Sequence, residues 1–124
     1  MRGIPFYNAP AFDAAAERLR ADGDDPVSPA DIDRAAGLVF DDYPTGTEPL
    51  PPAFDLRTLI RRDLDAIDTC DGLVRLPGWE NSRGSAVEIA YAEFLGMPVF
   101  EYEAGLGRPT RRFESSSATG RSPL

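Results

Sequence analysis

A strand, a loop, a helix and a second strand follow one another between residues 71 and 102, and this order constrains the fold more than any other feature. The apolar run Gly72–Leu76 is typical of a short buried strand, and Pro77-Gly78 ends it. Residues 86–95 are apolar at helical spacing, with Val87, Ala90 and Phe94 on the predicted stripe and Ile89 and Leu95 widening it. Val99–Tyr102 predicts the second strand. Because a strand–helix–strand unit of this kind builds a parallel sheet, the sequence predicts an α/β fold with a short parallel sheet.

The loop between the first strand and the helix is where we expect chemistry. In open parallel sheets, ligands bind beyond the carboxyl ends of the strands. That position is taken here by residues 77–85, which include two glycines, one tryptophan and several hydrogen-bonding side chains. A functional site in this protein is therefore predicted at this loop.

The rest of the chain supplies helices and irregular segments around this unit. Pro10 to Leu19 predicts one helix, and Phe54–Cys70 predicts a second, strongly amphipathic one. Val27–Pro29 suggests a very short strand, and Ser28 or Asp31 is a candidate cap for a minor turn near residues 31–36. Residues 37–52, rich in proline, predict a long irregular loop. We predict one domain over residues 1–106 and a flexible tail over residues 107–124, whose composition offers little apolar surface to bury.

Composition excludes several classes of function. The net charge of -8 argues against a protein that binds nucleic acid through a basic surface. The sequence has no histidine and no lysine, which excludes His-based triads, His-zinc sites and Schiff-base chemistry. No apolar run approaches membrane-spanning length. The single cysteine, Cys70, cannot form an internal disulfide, so we expect a cytoplasmic protein. We also expect no metal and no organic cofactor.

Glu88 is the sharpest candidate for a catalytic group, and the residues around it leave two interpretations open. It lies near the start of the predicted helix and faces the glycine-containing loop. The pattern Ser85-Ala86-Val87-Glu88 is also that of a capping box, in which Glu88 would only hold the Ser85 amide. From the pattern alone, the capping role is favoured.

Other polar residues near the loop have comparable alternatives. Asp71 either serves the site or forms a turn with Gly72, and Asp63 is either a site residue or a solvated helix charge. Trp79 either stacks on a ring or covers the loop. Ser82 and its neighbours either bind a phosphate at the helix N-terminus or are ordinary loop residues; this group comprises Asn81, Ser82 and Arg83.

Two segments carry a resemblance to a known family. They are Met-Arg-Gly-Ile-Pro-Phe-Tyr-Asn-Ala-Pro-Ala-Phe-Asp at the start, and the stretch Arg-Arg-Asp-Leu-Asp-Ala-Ile-Asp-Thr-Cys-Asp-Gly-Leu-Val-Arg-Leu-Pro-Gly-Trp-Glu-Asn-Ser-Arg-Gly-Ser-Ala-Val-Glu-Ile-Ala. Over most of residues 1–103 the chain resembles a phage and bacterial family of unknown function. That family is in turn similar to the nucleoside 2-deoxyribosyltransferase superfamily, which includes deoxyribosyltransferases and deoxynucleoside-monophosphate N-glycosidases.

The resemblance implies a flavodoxin-like, three-layer fold and a glutamate that attacks the anomeric carbon of a deoxynucleoside or deoxynucleotide. By position, Glu88 matches that nucleophile, with Asp71 and then Asp63 as the second carboxylate. Arg2, Gly3 and Tyr7 match the loop that touches the sugar or phosphate in that superfamily. The candidate substrate-binding residues are thus Arg2, Gly3, Tyr7, Trp79, Asn81, Ser82, Arg83 and Gly84.

Two further expectations follow from the same resemblance. Family members usually carry an apolar strand ending in Gly-Pro just before the Met-Arg-Gly motif, whereas this sequence begins at that Met. Either the start is truncated or misassigned, or this member lacks the first strand. The missing strand would expose apolar surface, and we therefore expect the chain to form a homo-oligomer. The alternative functions are a non-catalytic nucleotide-binding module and a phage-encoded interaction protein.

Overall fold

A computed structural model describes residues 3–103 and 108–111, with side chains described for residues 3–102. These residues form four α-helices and three β-strands. The helices are α1 (Ala9–Ala21), α2 (Pro29–Ala35), α3 (Leu56–Ile67) and α4 (Arg83–Phe94), and the strands are β1 (Leu73–Arg75), β2 (Val99–Glu103) and β3 (Arg108–Arg111). None of the helices in the described residues has the length and apolarity needed to cross a membrane.

The chain divides into two compact units, residues 1–62 and residues 63–124. The second unit contains the sheet, in which β2 lies between β1 and β3. β1 and β2 are parallel, with Leu73 opposite Val99 and Arg75 opposite Glu101. The predicted parallel pair joined by a helix is therefore confirmed, and the fold is a mixed α/β fold with a short two-strand parallel sheet.

The third strand, β3, pairs antiparallel with β2. It falls inside the segment 107–124 for which the sequence predicts a flexible tail, and residues 112–124 lie outside the described residues. Its sequence, Arg-Pro-Thr-Arg, has no apolar alternation that would predict a strand.

A small apolar cluster holds the second unit together. Ile67 from α3, Ala92 from α4 and Val99 from β2 are buried at its centre, and Ala92 is 0% exposed. The partly buried residues packed against them are Leu64, Leu73, Tyr91, Leu95 and Met97. The end of α3, the helix α4 and both parallel strands thus share one core. The buried face of α4 differs from the predicted stripe, because Val87, Ala90 and Phe94 are exposed whereas Ile89 and Ala92 are buried.

The first unit is built from α1, α2 and the long segment that follows them. Its buried cluster consists of Tyr7, Ala9, Ala30, Leu38, Phe40, Tyr43 and Phe54. Three of these residues, Leu38, Phe40 and Tyr43, belong to the stretch 37–52 that the sequence predicts to be irregular. This stretch has little regular structure, but its apolar side chains are anchored in the core.

Two helix starts in the first unit are set by capping side chains. Ser28 is buried and caps α2 by accepting a hydrogen bond from the Ala30 amide at 3.2 Å, which confirms one of the two predicted caps, whereas the suggested short strand at 27–29 is wrong. α3 begins at Leu56, where the Asp55 carboxylate accepts from the Thr58 amide at 2.8 Å. Leu56, expected on the apolar stripe of this helix, is 76% exposed because it lies in the first turn.

The turn before α1 has an unusual backbone. Phe6, Tyr7 and Asn8 have φ values of 56°, 51° and 65°, in the left-handed region that non-glycine residues rarely adopt. Backbone hydrogen bonds fasten this turn to the later loop: the Gly3 amide donates to the Gly46 carbonyl and the Phe6 amide to the Tyr43 carbonyl, both at 2.9 Å. Since each such residue costs about 1–3 kcal/mol, these contacts are needed to maintain the turn.

Candidate functional site

The loop at the carboxyl end of β1 is short and tightly turned. After Arg75, the last residue of β1, the chain makes a turn at Gly78 and a single 3₁₀ turn over Trp79–Asn81, and then enters α4. Gly78 has φ +88°, which glycine adopts without strain. The sequence thus places a tryptophan and a helix start directly after the strand.

Ser82 is the N-cap of α4. Its hydroxyl accepts a hydrogen bond from the Ser85 amide at 3.2 Å, and its carbonyl accepts from the Ala86 amide at 3.1 Å. The expectation that Ser85 caps the helix is therefore wrong, because the helix begins three residues earlier than the apolar spacing indicates. Ser85 is the third helical residue and supplies the capped amide.

The position of the cap changes the interpretation of Glu88. In a capping box the acidic residue is the third residue of the helix, and here that residue is Ser85. Glu88 lies in the second turn of α4, where it does not complete the cap, and its side chain is half-buried. The structural role that the sequence favoured for Glu88 is thus removed.

The best-defined polar contacts at this end of the sheet join Arg75, Glu101 and Trp79. Arg75 Nε donates to Glu101 Oε2 at 2.9 Å, and Arg75 Nη2 makes a second bond to the same oxygen. The guanidinium carbon lies 3.9 Å from the centre of the Trp79 ring. Only 10% of the Arg75 side chain is exposed, so the ion pair is shielded from solvent on the arginine side.

The hydrogen bonding that Arg75 donates to Glu101 raises the pKa of Arg75 above its usual value, with smaller contributions from the charges of Glu101, Glu80 and Glu93. Burial opposes this shift. The guanidinium charge is therefore balanced within the protein. Neither Arg75 nor Glu101 was a candidate from the sequence, although aligning the apolar residues of the two strands would have placed 75 opposite 101.

Asp71 and the loop lie at opposite ends of β1. Asp71 is exposed and precedes the strand, whereas Trp79 and Ser82 follow it. The three residues of β1 alone span about 10 Å. The structure therefore does not bring Asp71 to the loop, while the other carboxylate candidate, Asp63, is half-buried on α3.

The remaining candidates of the second unit cluster at the loop and the first turn of α4. Trp79 and Ser82 are half-buried, and Asn81, Arg83 and Gly84 are exposed. A side chain at Gly84 would meet only Ser82 Oγ, at 3.8 Å, so this glycine is not required by packing. These residues share one surface region at the carboxyl end of β1, as the sequence predicts.

The candidates of the first unit have structural contacts of their own. The Tyr7 hydroxyl donates to the Glu48 carbonyl, and its ring meets the Tyr43 ring edge-on at 5.7 Å between centroids. Gly3 bonds to Gly46 as described above. Arg2, the third candidate from this segment, lies outside the described residues.

The described part of the chain contains no group of three or more acidic or cysteine side chains arranged to hold a metal ion.

A family model described as a domain of unknown function (DUF4406) matches residues 1–101. No curated protein and no solved structure matches the chain.

Proposed function

The chain belongs to DUF4406, a family of domains of unknown function. We propose that it cleaves or transfers the N-glycosidic bond of a deoxynucleoside or its monophosphate. One observation carries the proposal. The half-buried side chain of Glu88 belongs to the second turn of the helix that follows the loop at the carboxyl end of a parallel strand, and Glu88 is not the residue that caps this helix. The resemblance to nucleoside 2-deoxyribosyltransferases supplies the reaction type and a flavodoxin-like arrangement, which the parallel pair β1–β2 supports.

Glu88 is the nucleophile in this proposal. Its carboxylate attacks the anomeric carbon while the bond to the base breaks, and the base leaves with a proton supplied by the second carboxylic acid or by water. A second base or a water molecule then displaces the glutamate and returns a proton to that carboxylate or to water, so the two inversions retain the configuration. Carboxylates suit this role in a chain without histidine or lysine, because they are ionised at neutral pH without a partner base.

The second carboxylate assists the leaving base or holds the sugar. Asp71 was the first choice from the sequence, but its place at the amino end of β1 favours Asp63. Glu80 is a third possibility, since it lies in the 3₁₀ turn after β1 and its charge acts on Arg75. Glutamine or asparagine variants of these three carboxylates rank them, because replacing the one that assists the reaction should lower kcat the most.

The decisive experiment follows the release of free base from deoxynucleosides and their monophosphates, with and without an acceptor base. Glu88→Gln keeps the size of the side chain but cannot form the glycosyl ester, so turnover should fall by about a thousandfold or more. Glu17→Gln, at an exposed helical glutamate on α1, is the matched control and should retain activity. Equal rates for the wild type and Glu88→Gln would refute the nucleophile assignment.

One observation favours a second candidate function. Glycosidases of this type use paired carboxylates, and the structure separates Asp71 from the loop that precedes Glu88. A non-catalytic module that binds a nucleoside at the same loop would need only Trp79 and the polar groups around it. Binding of deoxyadenosine without any release of base from any substrate would support this module over the enzyme.

A further inference from the structure

Both the backbone and the guanidinium group of Arg75 are held in place by Glu101. Its backbone is held in the parallel register opposite Glu101, and its guanidinium is held by two hydrogen bonds to the Glu101 carboxylate. A guanidinium bound in this way has a fixed plane, because both donors lie in that plane. The arginine is therefore a rigid platform at the carboxyl end of β1.

Trp79 has no comparable support within its own segment. It belongs to a 3₁₀ turn of three residues between Gly78 and Ser82, and this turn has no side-chain cap. The contact with the Arg75 guanidinium, 3.9 Å from the ring centre, orients the indole. Because Trp79 is only half-buried, part of the ring remains accessible.

The charges around the ring indicate what it can bind. Glu101 neutralises Arg75, and Glu80 and Glu93 add negative potential at the guanidinium. Arg75 is thus not available to a phosphate. An indole supported on one face by a cation offers its accessible surface to a flat, uncharged heterocycle, and stacking of bases on aromatic rings is a strong and general interaction.

We propose that Arg75 is a positioning residue: held by Glu101, it fixes the Trp79 ring so that the ring stacks on the base of a deoxynucleoside. The choice of a deoxynucleoside rests on the function proposed above. Arg75 acts through Trp79 and does not touch the reacting bond.

Fluorescence tests the positioning in the ligand-free protein, because Trp79 is the only tryptophan in the chain. In Arg75→Leu the indole loses its platform, so its emission should shift to longer wavelength and its quenching by acrylamide should increase. Should Arg75→Leu not fold, Arg75→Lys and Glu101→Gln carry the test. Lysine keeps the charge without the planar fork, and glutamine keeps the shape without the ion pair, so both should shift the emission in the same direction.

Arg34→Leu is the matched control. Arg34 also combines an aromatic stack with an ion pair, since its guanidinium lies 5.1 Å from the Phe40 ring centre and binds Asp13. It belongs to residues 1–62, and its replacement should leave the emission of Trp79 unchanged. Unchanged emission and quenching in all of the folded Arg75 and Glu101 variants would overturn the proposal.

Ligand binding tests the stack. Deoxyadenosine should quench Trp79 in the wild type, and 2-deoxyribose, which has no base, should not. Calorimetry should show the affinity for deoxyadenosine falling about tenfold in Trp79→Ala and about threefold in Arg75→Lys. In an active enzyme, Arg75→Lys should raise KM while kcat changes little, because Glu88 is untouched.

The proposal and the proposed function fail in different ways. If no substrate is cleaved but emission and deoxyadenosine binding respond as described, the glycosidase assignment is wrong and the positioning role stands. If base is released but Arg75→Lys has the emission and the KM of the wild type, the positioning role is wrong and the enzyme assignment stands. Equal affinity for deoxyadenosine in the wild type and Trp79→Ala also overturns the stack.

Discussion

Two features of the structure require glycine at position 46. Its φ is +75°, and a Cβ there would lie 1.9 Å from the Ile4 carbonyl oxygen. Gly46→Ala should therefore lower the free energy of unfolding by about 3 kcal/mol, from backbone strain together with the clash. Gly37→Ala is the control: φ is +106° but no atom lies within 4 Å of the added Cβ, so a loss of about 1 kcal/mol is expected. If urea unfolding shows the same loss of unfolding free energy for Gly46→Ala and Gly37→Ala, the Ile4 backbone does not pack tightly against residue 46.

Asp13 should give the protein part of its sensitivity to acid. Arg34 binds it bidentately, with Nη1–Oδ1 at 2.7 Å and Nη2–Oδ2 at 2.6 Å, and this hydrogen bonding lowers the pKa of Asp13. A pKa that is lower in the folded state stabilises the protein at pH values above the unfolded-state pKa of about 3.9. This stabilisation is lost as the pH falls through the folded-state pKa.

Asp13→Asn should accordingly lose less stability between pH 5 and pH 2 than the wild type does. The effect is small and weakens with added salt, since the two side chains are 44% and 40% exposed. Urea unfolding at several pH values measures it. An identical dependence of the unfolding free energy on pH in both proteins would show that the pair makes no contribution.

At the scale of single residues, the sequence shows which residue types are available for chemistry but does not predict their contacts. Glu88 and Trp79 stand out because their residue types are reactive or large and follow a strand and a turn. Arg75 and Glu101 do not, since their pairing depends on a register between strands that are distant in sequence. The left-handed backbone at Phe6–Asn8 has no signal either, because it is imposed by bonds to residues 43 and 46.

The start of α4 gives the sharpest test at the scale of an element. Ser82 caps the helix and Ser85 supplies the capped amide, so Ser82→Ala should cost about 1 kcal/mol of stability. Ser85→Ala should be neutral or slightly stabilising, because alanine is the better helix former. Thermal unfolding of both variants measures the difference, and a larger loss for Ser85→Ala would return the cap to the capping-box position.

Elements with regular apolar spacing were predictable, α2 was predicted only as a minor turn near residues 31–36, and β3 was not predicted. The helices α1, α3 and α4 and the parallel strands follow from spacing together with glycine and proline signals. The start of α4 was missed because its first residues, Arg83 and Gly84, carry no apolar stripe. β3 was missed because it is defined by its partner: Arg108–Arg111 becomes a strand by pairing with β2.

Truncation separates the strand β3 from the residues that follow it. Ending the chain after Arg111 should leave thermal unfolding nearly unchanged, since the composition of residues 112–124 offers little apolar surface. Ending it after residue 107 removes β3 and leaves one edge of β2 without its partner, so the melting temperature should fall. A large fall after the first truncation would contradict the prediction made from composition.

Self-association of the whole chain remains a prediction, and the structure supplies a surface on which to test it. One stripe of α4 is exposed along its whole length: Arg83, Ala86, Val87, Ala90, Glu93 and Phe94. Two large apolar side chains lie on this stripe, Val87, which is 47% exposed, and Phe94 at its end, which is 68% exposed. We expect a second copy of the chain to cover them.

The net charge of -8 opposes such a dimer, and the contact of one 12-residue helix is small. We therefore expect association at micromolar concentrations or above, strengthened by moderate salt because screening weakens the overall repulsion. Phe94→Ser should abolish it without loss of fold, since the side chain is mostly in solvent, whereas Leu56→Ser, at the equally exposed Leu56 of α3, should not. Light scattering at several concentrations measures the mass. A monomer at all concentrations, or a dimer that survives Phe94→Ser, would show that this stripe does not join two copies.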